Sequence, residues 1–264
     1  MRTIVGAELK RALNIRVLIG IAGICLCICF DSWNDLMRAL ESGIGDVHYF
    51  FWNSAFGGVC RTYLLPAFAV LPFSSSFCME YKSRILPFIV SRENRRIYCT
   101  VKYVVTIFVS GLCVALATAI LFGSLACKFP IAADYWQDPM INEPYHVWIA
   151  VYHPMNYFFI EVAMGALRGI LWSGIALCVS AYIPDAFVTL ISPYFASFIA
   201  RQICRMLNIA DEYQLDKMLM GSVVRVSSMN TLVICTVAVL SISCLFEILF
   251  QHRMKRRLED EMYQ

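Results

Sequence analysis

Glu161 and Arg168 are conspicuous for their position. They lie seven residues apart in the stretch 157–183, which carries no other charge. A charged side chain at the centre of a membrane helix costs about 2.5–3.5 kcal/mol on insertion scales, so each must meet a partner or water. Seven residues is about two helical turns, ~10.5 Å along one face, too far for a direct ion pair. Two readings follow. Glu161 and Arg168 line a substrate path or a subunit interface, or each is satisfied structurally, Glu161 near the outer boundary and Arg168 on a carbonyl freed by a proline. Gly165 and Gly169 form a G-x-x-x-G around Arg168. Such spacing permits close helix approach, to a second subunit or within one bundle.

Other chemistry is sparse. The chain has no G-x-x-x-x-G-K-[ST] phosphate loop and no H-E-x-x-H, and its four His (His48, His146, His153, His252) are scattered over connections and the tail. Twelve Cys are present, most of them inside apolar runs, with no C-x-x-C pair. Cys25, Cys27 and Cys29 point to different helix faces and cannot converge on one metal, so they read as small apolar residues. The expectation is a chain without a catalytic centre, metal site or cofactor of its own.

A second concentration of functional residues is the segment 77–103, FCMEYKSRILPFIVSRENRRIYCTVKY. It holds six basic residues, Lys82, Arg84, Arg92, Arg95, Arg96 and Lys102, between long apolar runs. Ile85, Leu86, Phe88, Ile89 and Val90 give it an apolar face for a nonpolar groove on a partner. Its arginines suit carboxylates on that partner. The alternative is that the charges only fix membrane topology.

The elements around these residues are expected to be membrane helices. The 264 residues are 59% hydrophobic and 16% charged, against roughly 25% charged for a soluble domain. A span needs about 20 apolar residues. Six candidates emerge, near 13–32, 62–79, 103–127, 157–183, 186–205 and 226–250. Pro66 and Pro72 should kink the second, and Pro193 falls in the fifth. The N-terminal run resembles a signal peptide, but no small-x-small cleavage pattern follows Phe30, so it is expected as a retained helix. Aromatic residues in 33–60 and 128–156 favour the membrane interface, and 206–225 has the spacing of a short helix on the outer surface. With both termini inside, fourteen of the 22 Lys and Arg face the cytoplasm, including four in the tail after the sixth span. That tail reads as an anchor on anionic lipid, with Glu247 pairing to it. The expectation is one domain over 1–264, all-α, in the plasma membrane of a bacterium, with no nucleic-acid partner.

Two stretches resemble the type-2 ABC exporter permeases, particularly the small six-span bacterial kind. Phe77 followed by Glu80 and Tyr81 matches the end of that family's second span. Ser91, Arg92, Arg95, Tyr98 and Lys102 match the segment leading into the third. The opening AELKRALNIRVLIG, with Glu8, Leu9, Lys10 and Arg11, is similar to the family's N-terminal interfacial helix. Ser83–Arg84 departs from it, where relatives often carry Gly. The resemblance implies a coupling helix between the second and third spans, with Glu80, Tyr81, Ile85, Phe88, Ile89, Arg92, Arg95 and Arg96 at the ATPase-docking surface. It also implies two separate ATPase subunits, which bind ATP and Mg, and a second permease subunit, identical or related. Substrate, such as a peptide, lipid or drug, would pass between the permease halves. The residues alone leave open a membrane scaffold or signalling protein that docks a cytoplasmic partner, or a channel or carrier outside this family.

The six-span topology is testable with reporter fusions. Fusions after Gly123 and Leu207 should report the outside and one after Arg257 the inside. An external signal at Arg257 overturns it.

Overall fold

The computed structural model describes residues 2–86, 88–89, 94–134, 153–224 and 227–262. Among them every regular element is a helix. In chain order they are α1 (Arg2–Ala12), α2 (Ile15–Asp31), α3 (Trp33–Ser42), α4 (Val47–Gly57), a π turn (Cys60–Leu64), α5 (Leu65–Val70) and α6 (Ser76–Lys82). Then come α7 (Arg95–Ala126), α8 (Pro154–Tyr182), α9 (Ala186–Met206), a 3-10 turn (Asp211–Tyr213), α10 (Leu215–Leu219) and α11 (Ser228–Met262). The four helices α7, α8, α9 and α11 are long and apolar enough to cross a membrane. A fifth crossing is available if α1 and α2, bent by 53° at their junction, count as one. The chain is an all-helical, membrane-embedded protein.

Helix α8 lies at the centre and packs on α7, α11, α9 and α5. Its contact with α7 is tight because glycines meet there. A Cβ on Gly169 would sit 2.6 Å from the Ser110 carbonyl oxygen and 2.9 Å from the Gly111 Cα, both backbone atoms. A Cβ on Gly165 would meet Thr118 and Val114 of the same helix. Within this chain the G-x-x-x-G is therefore occupied by α7, not left open for a second subunit. In contrast, α9 and the apolar part of α11 are mostly exposed.

The run 62–79 is not one kinked helix. It divides into the π turn, α5, a turn over 71–75 and α6. Pro66 and Pro72 each remove a backbone donor, and the Ser74–Ser75–Ser76 run after Pro72 favours turns over helix. In the π turn the Leu65 N–H bonds the Cys60 carbonyl, five residues back. The next donor in that pattern would be residue 66, a proline, so the Arg61 carbonyl lacks a helical partner.

Three further expectations change. The third helix begins at Arg95, so Arg95, Arg96, Tyr98 and Lys102 ride on α7 rather than in a loop. Segment 33–60 forms helices. Gly43 closes α3 in the left-handed region, φ 70°, and the Asp46 side chain caps α4 by accepting from the Tyr49 N–H at 2.7 Å. Its aromatics enter the core: Phe51 packs edge-on against Phe158 and Phe50 against Phe129. Finally, α10 is tucked in rather than lying on the surface, with Met218, Leu219 and Met220 buried. Between α6 and α7 the chain is helical at 86, 88 and 89; residues 87 and 90–93, Arg92 among them, lie outside the described residues, as does 135–152.

Gly169→Ala must shift backbone at the α7–α8 crossing and is expected to cost about 1–3 kcal/mol, read as a lower thermal midpoint of the purified chain. Gly123→Ala, where nothing lies within 4 Å of an added Cβ, should leave the midpoint unchanged or raise it.

Candidate functional site

Five of the residues that carried the family resemblance, Glu8, Arg11, Glu80, Tyr98 and Lys102, meet in one place. Lys102, one helical turn after Tyr98 on α7, is fully buried. Its ammonium donates to Glu8 Oε2 at 2.9 Å and to Glu80 Oε1 at 2.7 Å, and lies 4.6 Å from the centre of the Phe73 ring. Arg11 reaches the same two carboxylates, Glu8 Oε1 at 3.0 Å and Glu80 Oε1 at 2.8 Å. Tyr98 donates its hydroxyl to Glu80 Oε2 at 2.5 Å. Two carboxylates thus meet two cations with no net charge, and only Arg11 keeps much exposure.

Each element supplies its part for a local reason. Helix α1 ends where Asn14 accepts from the Arg16 N–H at 2.8 Å and starts α2. The bend there lays α1 across α7, with Glu8 and Ala12 facing in. Glu8 and Arg11, three residues apart, share one face. The turn over 71–75 redirects the chain into α6, which carries Glu80.

Beside this cluster lies the elbow that joins α6 to α7. Leu86 is buried with Phe77, Tyr98, Tyr103, Leu177, Phe250 and Met254. Ile89 packs partly on the same cluster. Ile85 and Phe88 are exposed, 49% and 72%. Leu86 thus belongs to the chain's own core and anchors the elbow, while Ile85 and Phe88 face outward. Glu80, grouped with the docking residues in the sequence, is buried in the ion cluster with Arg11, Tyr98 and Lys102. Tyr81 is covered by Arg257, whose guanidinium carbon is 4.9 Å from its ring centre. Lys82 pairs at 2.9 Å with Asp185, in the turn between α8 and α9. That hydrogen bond, with the N–H groups of Val188 and Phe187, holds the Asp185 carboxyl below its ordinary value.

Glu161 and Arg168 form a second buried cluster, and the link between them is Arg61. Arg61 Nη2 meets Glu161 Oε2 at 2.8 Å, and Nη1 donates to the Phe51 carbonyl and Ser54 Oγ, both at 2.8 Å. Tyr157 donates to Glu161 Oε1 at 3.0 Å. Arg168 Nη2 donates at 3.2 Å to the Arg61 carbonyl, the one that Pro66 leaves without a donor. Arg168 also lies 3.7 Å from Asp216 of α10, which Arg201 of α9 binds too. Arg61, Glu161 and Arg168 are all buried. Among the described residues, Glu161 and Arg168 are each bound to the segment around Arg61, which they tie to α8. Arg61 and Asp216 were legible only as charges near apolar runs, and nothing in the spacing joined them. Glu247 accepts from Thr100 at 2.9 Å and from Gln251 at 3.0 Å rather than from the basic tail.

No family model, no curated protein and no solved structure matches this chain.

The first cluster makes a sharp prediction. Lys102→Met leaves Glu8 and Glu80 facing each other with Arg11 alone, and breaking a buried pair typically costs about 3–5 kcal/mol. Adding Glu80→Gln removes one uncompensated carboxylate and should recover part of the loss. Thermal unfolding of the two variants checks this. A double variant no more stable than Lys102→Met would show that the charges are not coupled.

Proposed function

We propose that this chain is the permease subunit of an ATP-driven exporter of the type-2 ABC kind, moving a substrate such as a peptide, lipid or drug with separate ATPase subunits. The observation that carries the reading is the convergence of Glu8, Arg11, Glu80, Tyr98 and Lys102 on one buried cluster. These residues come from the two stretches that resemble the family, 7–20 and 77–103. They tie the N-terminal helix, the end of the broken segment and the start of α7 together, directly behind an elbow that exposes Ile85 and Phe88. A displacement of the elbow by a partner is therefore passed to three helices at once. In this reading 60–82 is the second of six spans, crossed by a broken helix, and the elbow and both termini are cytoplasmic. The exposed apolar faces of α9 and α11 meet lipid or a second permease subunit, identical or related. Ile85 and Phe88 enter a nonpolar groove of the ATPase, and Arg92 supplies positive charge beside it.

The test is to purify the full chain from its native membrane and assay the complex for ATP hydrolysis in lipid. An ATPase is expected to co-purify. Phe88→Ala removes an apolar anchor, about 1 kcal/mol or more at an interface, and should weaken association several-fold with little dependence on salt. Arg92→Glu should weaken it most at low salt, where screening is least. If no ATPase accompanies the chain, or if normally inserted Phe88→Ala holds the ATPase like the parent, the transporter reading fails and a scaffold or carrier takes its place.

A further inference from the structure

The start of α7 and the end of α11 enclose a groove that neither ion cluster uses. Arg95 and Arg96 form one wall, and Ile248, Gln251, His252 and Lys255 the other. Its volume is about 170 Å³. The guanidinium groups of Arg95 and Arg96 make no hydrogen bond or ion pair with any described residue. Among the described side chains, two carboxylates lie along this end of α11. Glu247 is already held by Thr100 and Gln251, and Glu259 stands 3.8 Å from Lys255. Neither answers the two arginines.

The surface that leads into the groove identifies its occupant. Val233, Val237, Leu240, Cys244 and Ile248 recur every three or four residues along α11, so they share one face. All five are exposed. This apolar stripe ends at the groove, where His252 and Lys255 continue the same side of the helix. A ligand that fits both parts has an anionic head and an apolar chain.

We propose that the groove binds the phosphate headgroup of an anionic membrane lipid, with Arg95, Arg96 and Lys255 as donors and an acyl chain along the α11 stripe. Basic pockets at the ends of membrane helices take anionic lipids for the same electrostatic reason. The inference rests on the chain being embedded in a membrane and not on the transport reading.

The experiment uses the full chain in neutral detergent. Its thermal midpoint is titrated with phosphatidylglycerol, phosphatidylcholine or inorganic phosphate, and retained lipid is counted by native mass spectrometry. Phosphatidylglycerol is expected to raise the midpoint and remain bound, and phosphatidylcholine to do neither. Arg95→Gln, Arg96→Gln and Lys255→Gln together should weaken phosphatidylglycerol binding at least ten-fold. A control removes three exposed cations at the same end but outside the groove, Lys10→Gln, Arg84→Gln and Arg256→Gln; it should bind like the parent. Equal loss in both triple variants would reduce the effect to net charge and overturn the site. Undiminished lipid binding by the groove variant overturns it as well. A full shift from inorganic phosphate alone overturns the lipid assignment.

Discussion

A lysine ammonium with no exposure to water is the most demanding group in this protein. The effective penalty for burying such an ion is several kcal/mol, and only close, well-placed counter-charges offset it. Lys102 obtains them from Glu8 and Glu80, which lie 94 and 22 residues away in the chain. Neither carboxylate sits on the same helix as the lysine. The lysine can therefore be satisfied only when α1, α6 and α7 are all in place, and the cluster acts as a test of correct assembly at that end of the bundle. Arg11 and Tyr98 complete the arrangement by occupying carboxylate oxygens that would otherwise repel each other. Such a network adds little net stability compared with an apolar core of equal volume, but it fixes which segments meet.

A related logic operates around the broken segment. Pro66 follows the π turn and leaves the Arg61 carbonyl without a backbone donor, and in a membrane such a group must be answered from within the protein. Arg168 answers it, and the cost of burying that guanidinium is then shared with Asp216 from α10. Arg61 in turn neutralises Glu161. One helix irregularity thus accounts for the position of charges on four elements, the π turn, α8, α9 and α10.

The helices were largely legible in the sequence, because long apolar runs bounded by charge have few other solutions in lipid. So was the meeting of polar groups near 80–102, since basic residues between apolar runs are unusual. Pairing was not legible. Helical periodicity places Glu161 and Arg168 on one face, but it is blind to Arg61, which arrives from a distant segment. The breakdown of 62–79 into short pieces was signalled by two prolines and a serine run, yet average hydropathy favoured a single helix. Likewise Lys102 counts as a loop charge in any tally of topology, and only the arrangement of α1 and α6 turns it into a core residue. In each case the missing information is tertiary.

The elbow end brings together two elements of opposite mechanical character. Helix α11 has 35 residues, and at 1.5 Å per residue it is about 52 Å long. Hydrocarbon takes up about 30 Å, so some 20 Å of the helix stands beyond it even without tilt. No proline interrupts it, and Arg257 fastens it to the Tyr182 carbonyl. The segment 60–82 covers its distance in short pieces with turns between them. Under load, α11 behaves as a strut that carries a push along its axis undiminished. Segment 60–82, jointed at each turn, is the softer of the two, so a load applied at that end would be shared unequally between them.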